Sequence, residues 1–214
     1  MNAGRPHPGR FITFEGGEGA GKSTQIRLLS EALEKAGHAV LQTREPGGSP
    51  GAEEIRSLLV TGDGDRWTGM TEVLLHFAAR ADHLERVVRP ALSEGKWVLC
   101  DRFVDSSMAY QGVAQALGRH LIRDLTNLVV TTTMPDLTLI LDLPVTDGLA
   151  RAGARDDGED RYEKMGQAFH ETLRQAFLDI ATDEPQRCKV IDATTDINAV
   201  HHAIWAATAK RFDL

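Results

Sequence analysis

The segment Gly16-Gly17-Glu18-Gly19-Ala20-Gly21-Lys22-Ser23 constrains this chain more than any other. It fits G-x-x-x-x-G-K-[ST]. In that pattern glycines let successive backbone N–H groups turn inward around phosphate oxygens, the lysine reaches the β and γ phosphates, and the hydroxyl ligates Mg²⁺. The mechanism requires a strand before the loop and a helix after it, because the helix N-terminus adds its positive dipole end. Phe11-Ile12-Thr13-Phe14 supplies the β-type run, and Ile26, Leu29 and Leu33 then recur at helical spacing up to a stop at Gly37. A glycine turn that merely opens a helix is the plainer reading, and this flanking context argues against it. Gly16, Gly17, Glu18, Gly19, Ala20, Gly21, Lys22, Ser23 and Thr24 are therefore read as binding a nucleoside triphosphate, with Ser23 as a metal ligand.

The rest of the chain alternates in the same way. Ala39-Val40-Leu41 reads as a second strand, closed by the turn-rich stretch from Glu45 to Gly51. A long helical pattern covers Met70 to Leu92, interrupted near its end by Pro90. Trp97-Val98-Leu99-Cys100 is a third strand ending on Asp101, and helical stretches run from Ser106 to Val130. Leu137 to Leu141 is a continuous apolar strand of the kind buried on both faces of a parallel sheet. A charged loop from Arg151 to Arg161, a helix from Tyr162 to Ile180, a strand at Lys189-Val190-Ile191 and a closing helix follow. This order predicts an α/β fold of the P-loop NTPase type: a doubly wound parallel sheet flanked by helices, with ligands at the strands' carboxyl ends. The length, 214 residues, suits one elaborated domain over residues 10–214, after a disordered tail over 1–9.

Composition matters where it excludes partners. Lys plus Arg total 24 against 31 Asp plus Glu, a formal net charge of −7. Proteins that live on nucleic-acid backbone or anionic membrane carry a basic surplus, so neither partner is expected and phosphate must be gripped locally. Cys100 and Cys188 lack metal-ligand spacing, no apolar run approaches a membrane span, and the N-terminal residues do not read as a signal peptide. A cytoplasmic protein is the expectation.

The phosphate loop leaves open where the phosphate goes. A small-molecule phosphotransferase competes with a nucleotide switch or ATPase. A guanine-reading switch needs an N-K-x-D segment, which this sequence lacks, and a motor usually needs more domains than this length allows. Thr43-Arg44-Glu45-Pro46-Gly47-Gly48 lies after the second strand, where an arginine can fork two hydrogen bonds onto a phosphate, or can simply be a solvated surface residue. Asp101-Arg102 ends the third strand. The Asp suits Mg²⁺ and the Arg suits phosphate, with a structural ion pair as the alternative.

Taken in order, Phe14-Glu15-Gly16 leading into the loop, Thr43 to Gly48, Phe77-Ala78-Ala79-Arg80, Asp101-Arg102-Phe103, Ser106-Ser107 and Ala109-Tyr110-Gln111-Gly112 resemble the thymidylate kinase family over nearly the whole chain. The resemblance implies a Mg²⁺-dependent transfer from ATP to dTMP, giving dTDP and ADP. It implies that Glu18 reaches the deoxyribose 3′-hydroxyl or the metal shell and that Arg44 holds the acceptor monophosphate. Arg102 would bridge acceptor and donor phosphates, with Asp101 beside it near the metal. Arg80 would bond the thymine carbonyl, Ser107 and Gln111 would lie at the base, and Tyr110 would wall off a ribose 2′-hydroxyl. The family's stacking aromatic commonly lies four residues before that arginine, which here is His76. Phe77, three before it, faces roughly the same way and is taken as the stacking ring, with a plain core role as the alternative.

The charged loop resembles the family's lid, at about 151–161. The phosphate loop carries no arginine, so the resemblance makes the lid the source of a catalytic one: Arg155 first, Arg151 second, with Arg161 given a structural share. By composition alone the same stretch is a solvated loop. Lys22, Arg102, Asp101, Arg155 and Arg151 thus form the expected catalytic set. The family usually forms homodimers. The apolar side chains of the helix from Met70 are compatible with that and equally with burial in a monomer.

Overall fold

The computed structural model describes residues 9–62, 66–153, 162 and 165–214. Residues 1–8 of the expected tail, and most of the expected lid including Arg155 and Arg161, lie outside the described residues.

Five strands form one parallel sheet in the order β2-β3-β1-β4-β5. They are β1 (Arg10–Glu15), β2 (Val40–Arg44), β3 (Trp97–Asp101), β4 (Leu137–Asp142) and β5 (Cys188–Asp192). The doubly wound P-loop fold is therefore present. β1 lies between β3 and β4, with Phe14 opposite both Asp101 and Leu139. The loops after β1, β2 and β3 therefore open on one edge of the sheet.

Helices cover both faces. On one, α1 (Lys22–Lys35) and α9 (Ile197–Phe212) bury Leu29, Leu33 and Ile204 against Ile12, Phe14 and Leu139. On the other, Phe11, Val98 and Phe103 pack against Leu84 and Val88, while Ile140 packs on Leu173 and Phe177 of α8 (Gln167–Asp183). Alternate residues of the central strands thus enter opposite cores, which explains their continuous apolar run. At the far edge from the loops, the Arg10 guanidinium sits 5.2 Å from the centroid of the Phe212 ring.

Several expectations are corrected. β2 runs on to Arg44, so Thr43 and Arg44 end the strand rather than follow it. The stretch read as turn-rich contains the start of α2 (Pro50–Val60): Pro50 has a fixed φ and no N–H to lose at a first helical position, so it opens the helix. The helix expected from Met70 begins at Gly69 and continues past Pro90 to Ser93. Between α3 (Gly69–His83) and α4 (Arg89–Ser93) the turn Leu84–Val88 widens to a π-helix, with Arg89 N–H reaching Leu84 O, and this widening takes the place of a break at the proline. The span Ser106 to Val130 divides into α5 (Val104–Ser107), a π segment Met108–Ala114 and α6 (Arg119–Val129), separated by positive φ at Ala116 and Gly118. Arg151 is not in a loop but in the last turn of α7 (Val145–Ala152). Finally, α8 starts at Gln167 rather than Tyr162, behind an extended Gly166.

Candidate active site

The phosphate loop joins β1 to α1, and two of its glycines are dictated by close approach. Gly16 has φ +128°, and a Cβ there would stand 2.4 Å from Leu141 O. Gly19 has φ +66°, and a Cβ would stand 2.0 Å from Gly148 O in α7. Only a residue without a side chain satisfies both demands. The loop thereby rests against β4 and α7, with Lys22 opening α1. Lys22 Nζ folds back to donate to Gly17 O at 2.9 Å and Gly16 O at 3.2 Å. Burial, together with the nearby Arg102 charge, lowers its pKa from the ordinary lysine value.

At the adjacent strand end, Ser23 Oγ donates to Asp101 Oδ2 at 2.9 Å. Arg102 has φ +66°, a left-handed conformation rare for a side-chain-bearing residue. The turn is held from behind by Glu15, which is fully buried and accepts from Phe103 N–H at 2.7 Å and Ser106 O–H at 2.6 Å. Burial and the Asp105 charge push the Glu15 carboxyl up to about 7, against the opposing pull of Ser106 and Arg102. Asp105 is itself gripped by Arg187, with both oxygens bonded at 2.7 Å.

So aimed, Arg102 donates to Gly16 O at 3.1 Å, to Ser106 Oγ at 3.2 Å and to Glu18 Oε1 at 2.8 Å. Tyr110 O–H donates to the same Glu18 oxygen at 2.6 Å. Burial alone would raise the Glu18 carboxyl, but Arg102, Lys22 and the Tyr110 hydroxyl outweigh it and hold it at about 2. Glu18 is therefore a fixed anion that ties the phosphate loop to the helix after β3.

The far side of the cleft is built on a buried ion pair. Arg80 Nε donates to Glu45 Oε2 at 2.7 Å and Nη2 to Ser107 Oγ at 3.1 Å, with the pair only 2% and 4% exposed. His83 Nδ1 lies 3.0 Å from Glu45 Oε1 and its Nε2 lies 2.7 Å from Thr43 Oγ1. Facing a carboxylate, Nδ1 carries the hydrogen, so Nε2 can accept from the threonine. The Arg80 guanidinium stands 4.6 Å from the Phe77 ring centroid, and its remaining nitrogen, Nη1, is buried without a hydrogen-bond partner among the described residues. Removing either member of such a pair leaves a buried charge and typically costs about 3–5 kcal/mol. Nearer the mouth, half-exposed Arg44 donates to Glu53 Oε2 at 3.0 Å, and the other Glu53 oxygen accepts from Gly48 N–H at 2.8 Å.

One cleft of about 500 Å³ joins these parts, within the range of small-molecule sites. The expected site residues Glu18 to Thr24, Arg44, Arg80, Asp101, Arg102, Ser107, Tyr110, Gln111 and Arg151 all line it. Gly16 and Gly17 instead line a smaller pocket together with Leu141 and Gly148, and Gly16 alone abuts Leu141. Phe77 does not line the cleft: it is 2% exposed and packs with Val73 and Ile122, while His76 takes the lining position and reaches Tyr162 O–H at 3.1 Å. Sequence reasoning missed Glu15, Glu45, Glu72, His83 and Ser106. The available signals were an acid ending an apolar strand and an acid directly before Pro46.

The comparisons with known proteins agree in one direction. The family model for thymidylate kinase matches residues 14–204. The thymidylate kinase of Caulobacter vibrioides is 57% identical over 206 residues, which are 96% of this chain and 99% of that one. That of Afipia carboxidovorans is 52% identical over 97% of this chain and 92% of its own. The crystal structure of the Ehrlichia chaffeensis thymidylate kinase matches with a TM-score of 0.77 at 33% identity, over 94% of this chain and 99% of that one.

Proposed function

The chain belongs to the thymidylate kinase family, and on that premise we propose how its residues divide the work of moving a phosphoryl group from ATP to dTMP. The observation that carries the reading is the cleft lined both by the phosphate loop and by Arg80, Ser107 and Gln111, with Arg80 Nη1 buried and without a partner among the described residues. A phosphate oxygen of dTMP, already ionised at neutral pH, attacks the γ-phosphorus. The bond from that phosphorus to the bridging β-oxygen breaks, and ADP leaves with the electron pair. No proton changes hands, so no general base is needed.

Catalysis is then positioning and charge neutralisation. The residues from Gly16 to Thr24 hold the triphosphate, with Lys22 at its β and γ groups. Arg44 holds the acceptor phosphate, and Arg102 spans acceptor and donor. Ser23 and Asp101 offer hard oxygen donors 2.9 Å apart at the loop, which suits Mg²⁺ completed by water and phosphate. Mg²⁺, when bound, neutralises charge on the phosphate oxygens. Arg80, Ser107 and Gln111 face the base and Tyr110 faces the sugar. His76 is assigned the base-facing position and Phe77 the support of Arg80. From the lid, Arg155 is the first choice to cover the phosphoryl group, and Arg151, in the last turn of α7, is the second.

We place this machinery in one domain over residues 10–214. No helix among the described residues is long and apolar enough to cross a membrane. A cytoplasmic location fits the free, buried Cys100 and Cys188. Exposed Leu74 on α3 and Leu128 on α6 support a homodimer.

A coupled ADP-release assay with ATP and a panel of nucleoside monophosphates tests the reading. A large rate with dTMP is expected, and slow hydrolysis indifferent to the acceptor would overturn it.

A further inference from the structure

Glu72 lies on the same face of α3 as His76 and Arg80, one and two turns before them. It is 1% exposed, and nothing in the mechanism uses it. Its Oε1 accepts from Gln111 Nε2 at 2.8 Å and from Gln115 Nε2 at 2.7 Å. A carboxylate can only accept, so each amide must present its NH₂ end to Glu72. Gln111 lines the cleft, and with its nitrogen taken, the end left for a ligand is its oxygen. Turning the amide over would set that oxygen against the carboxylate. Arg80 lines the same cleft, and its buried Nη1 is a donor without a partner among the described residues. Among the groups lining the cleft, Arg80 is thus a donor and Gln111 an acceptor, each held by a buried carboxylate: Glu45 behind Arg80, Glu72 behind Gln111.

We propose that Glu72 is a positioning residue that sets base specificity through Gln111, fixing the amide oxygen toward the cleft. The site then takes a pyrimidine with an N3–H beside a C4 carbonyl, as in thymine and uracil. Cytosine presents a lone pair at N3 and an amino group at C4, so it meets acceptor with acceptor and donor with donor. Mismatches of this kind leave buried polar groups unpaired, and such sites reject analogues strongly. The proposal rests on the reading of this cleft as the deoxynucleotide site. Wild-type turnover of dTMP checks that reading by itself.

The test is steady-state kinetics on the full chain with dTMP and dCMP as acceptors. In Glu72→Gln the partner amide can receive Gln111 either way round. KM for dTMP should rise about tenfold, with kcat within about threefold, and the kcat/KM preference for dTMP over dCMP should fall at least about tenfold. General damage would lower kcat for both acceptors and leave the preference intact, and that result overturns the proposal. In a Gln111→Met background there is no amide to orient, so adding Glu72→Gln should change the preference less than about twofold. A further large fall there would overturn it as well. If Glu72→Gln does not fold, Glu72→Asp takes its place. Withdrawing the carboxylate by one methylene should weaken the preference at least about threefold with kcat kept, and an unchanged preference refutes the idea.

Discussion

Glu18 occupies a glycine-rich loop, yet Arg102, Tyr110 and the Lys22 charge converge on it. Its anion organises the cleft by holding the Arg102 guanidinium and the Tyr110 hydroxyl in one arrangement. On the proposed function Tyr110 then has two separable duties, its ring as a wall and its hydroxyl as a tether. Tyr110→Ala should cut the preference for dTMP over the ribose form of the same nucleotide by about tenfold or more. Tyr110→Phe should keep that preference, because the ring remains. Competition kinetics with the two nucleotides measures both, and equal preference in wild type and the alanine variant would remove the wall. Residues that line the cleft were legible in the sequence, since phosphate chemistry calls for Lys22, Ser23 and arginines at strand ends. Their supporting acids were not. Glu15 meets Ser106 across 91 positions and Glu45 meets Arg80 across 35, and no local pattern encodes such pairings. Phe77 shows the same limit: its helical spacing could not tell a wall of the cleft from the core beneath Arg80.

Between elements, the backbone of Gly19 approaches that of Gly148 in α7 so closely that there is no room for a side chain. Gly19→Ala adds a Cβ at a left-handed φ, costing roughly 1–2 kcal/mol before any collision. It would also push the loop off α7. The expected result is a fall in thermal stability together with a KM for ATP raised about tenfold or more, and a normal ATP KM would show that the loop does not depend on this seat. The central strands β1, β3 and β4 were readable because a parallel sheet buries them on both faces as short apolar runs. Helices α2 and α7 were not: each is short, opens in or after proline and carries glycine, so local cues read as turn. The π segments are equally invisible, since only the backbone hydrogen-bond pattern separates Leu84–Val88 from the helix around it.

For the molecule as a whole, net charge hides a division. Lys22, Arg44, Arg80, Arg102 and Arg151 line one cleft in a chain carrying −7, so the acidic surplus lies elsewhere. Buried acids also set the response to pH. Glu15 is held at about 7 against an ordinary 4.5, so the folded chain keeps a proton that the unfolded chain releases. Its contribution to stability therefore falls as pH rises from about 4.5 to 7 and levels off above. Glu18, held at about 2, acts in the opposite sense, and its contribution is lost as pH falls below about 4.5. Denaturant titrations of Glu15→Gln should show a flatter decline between pH 5 and 7 than wild type, and identical slopes would mean that Glu15 is not the titrating group. The contact of Arg10 with Phe212 carries a different consequence. The start of the first strand and the end of the last helix meet on the rim opposite the phosphate loop, which makes the fold nearly a closed ring. A short linker could join residues 9 and 214, with new ends opened at the exposed turn Ala36–Gly37 before β2. The cleft depends on which strands are neighbours, and that circular permutation leaves every neighbour in place.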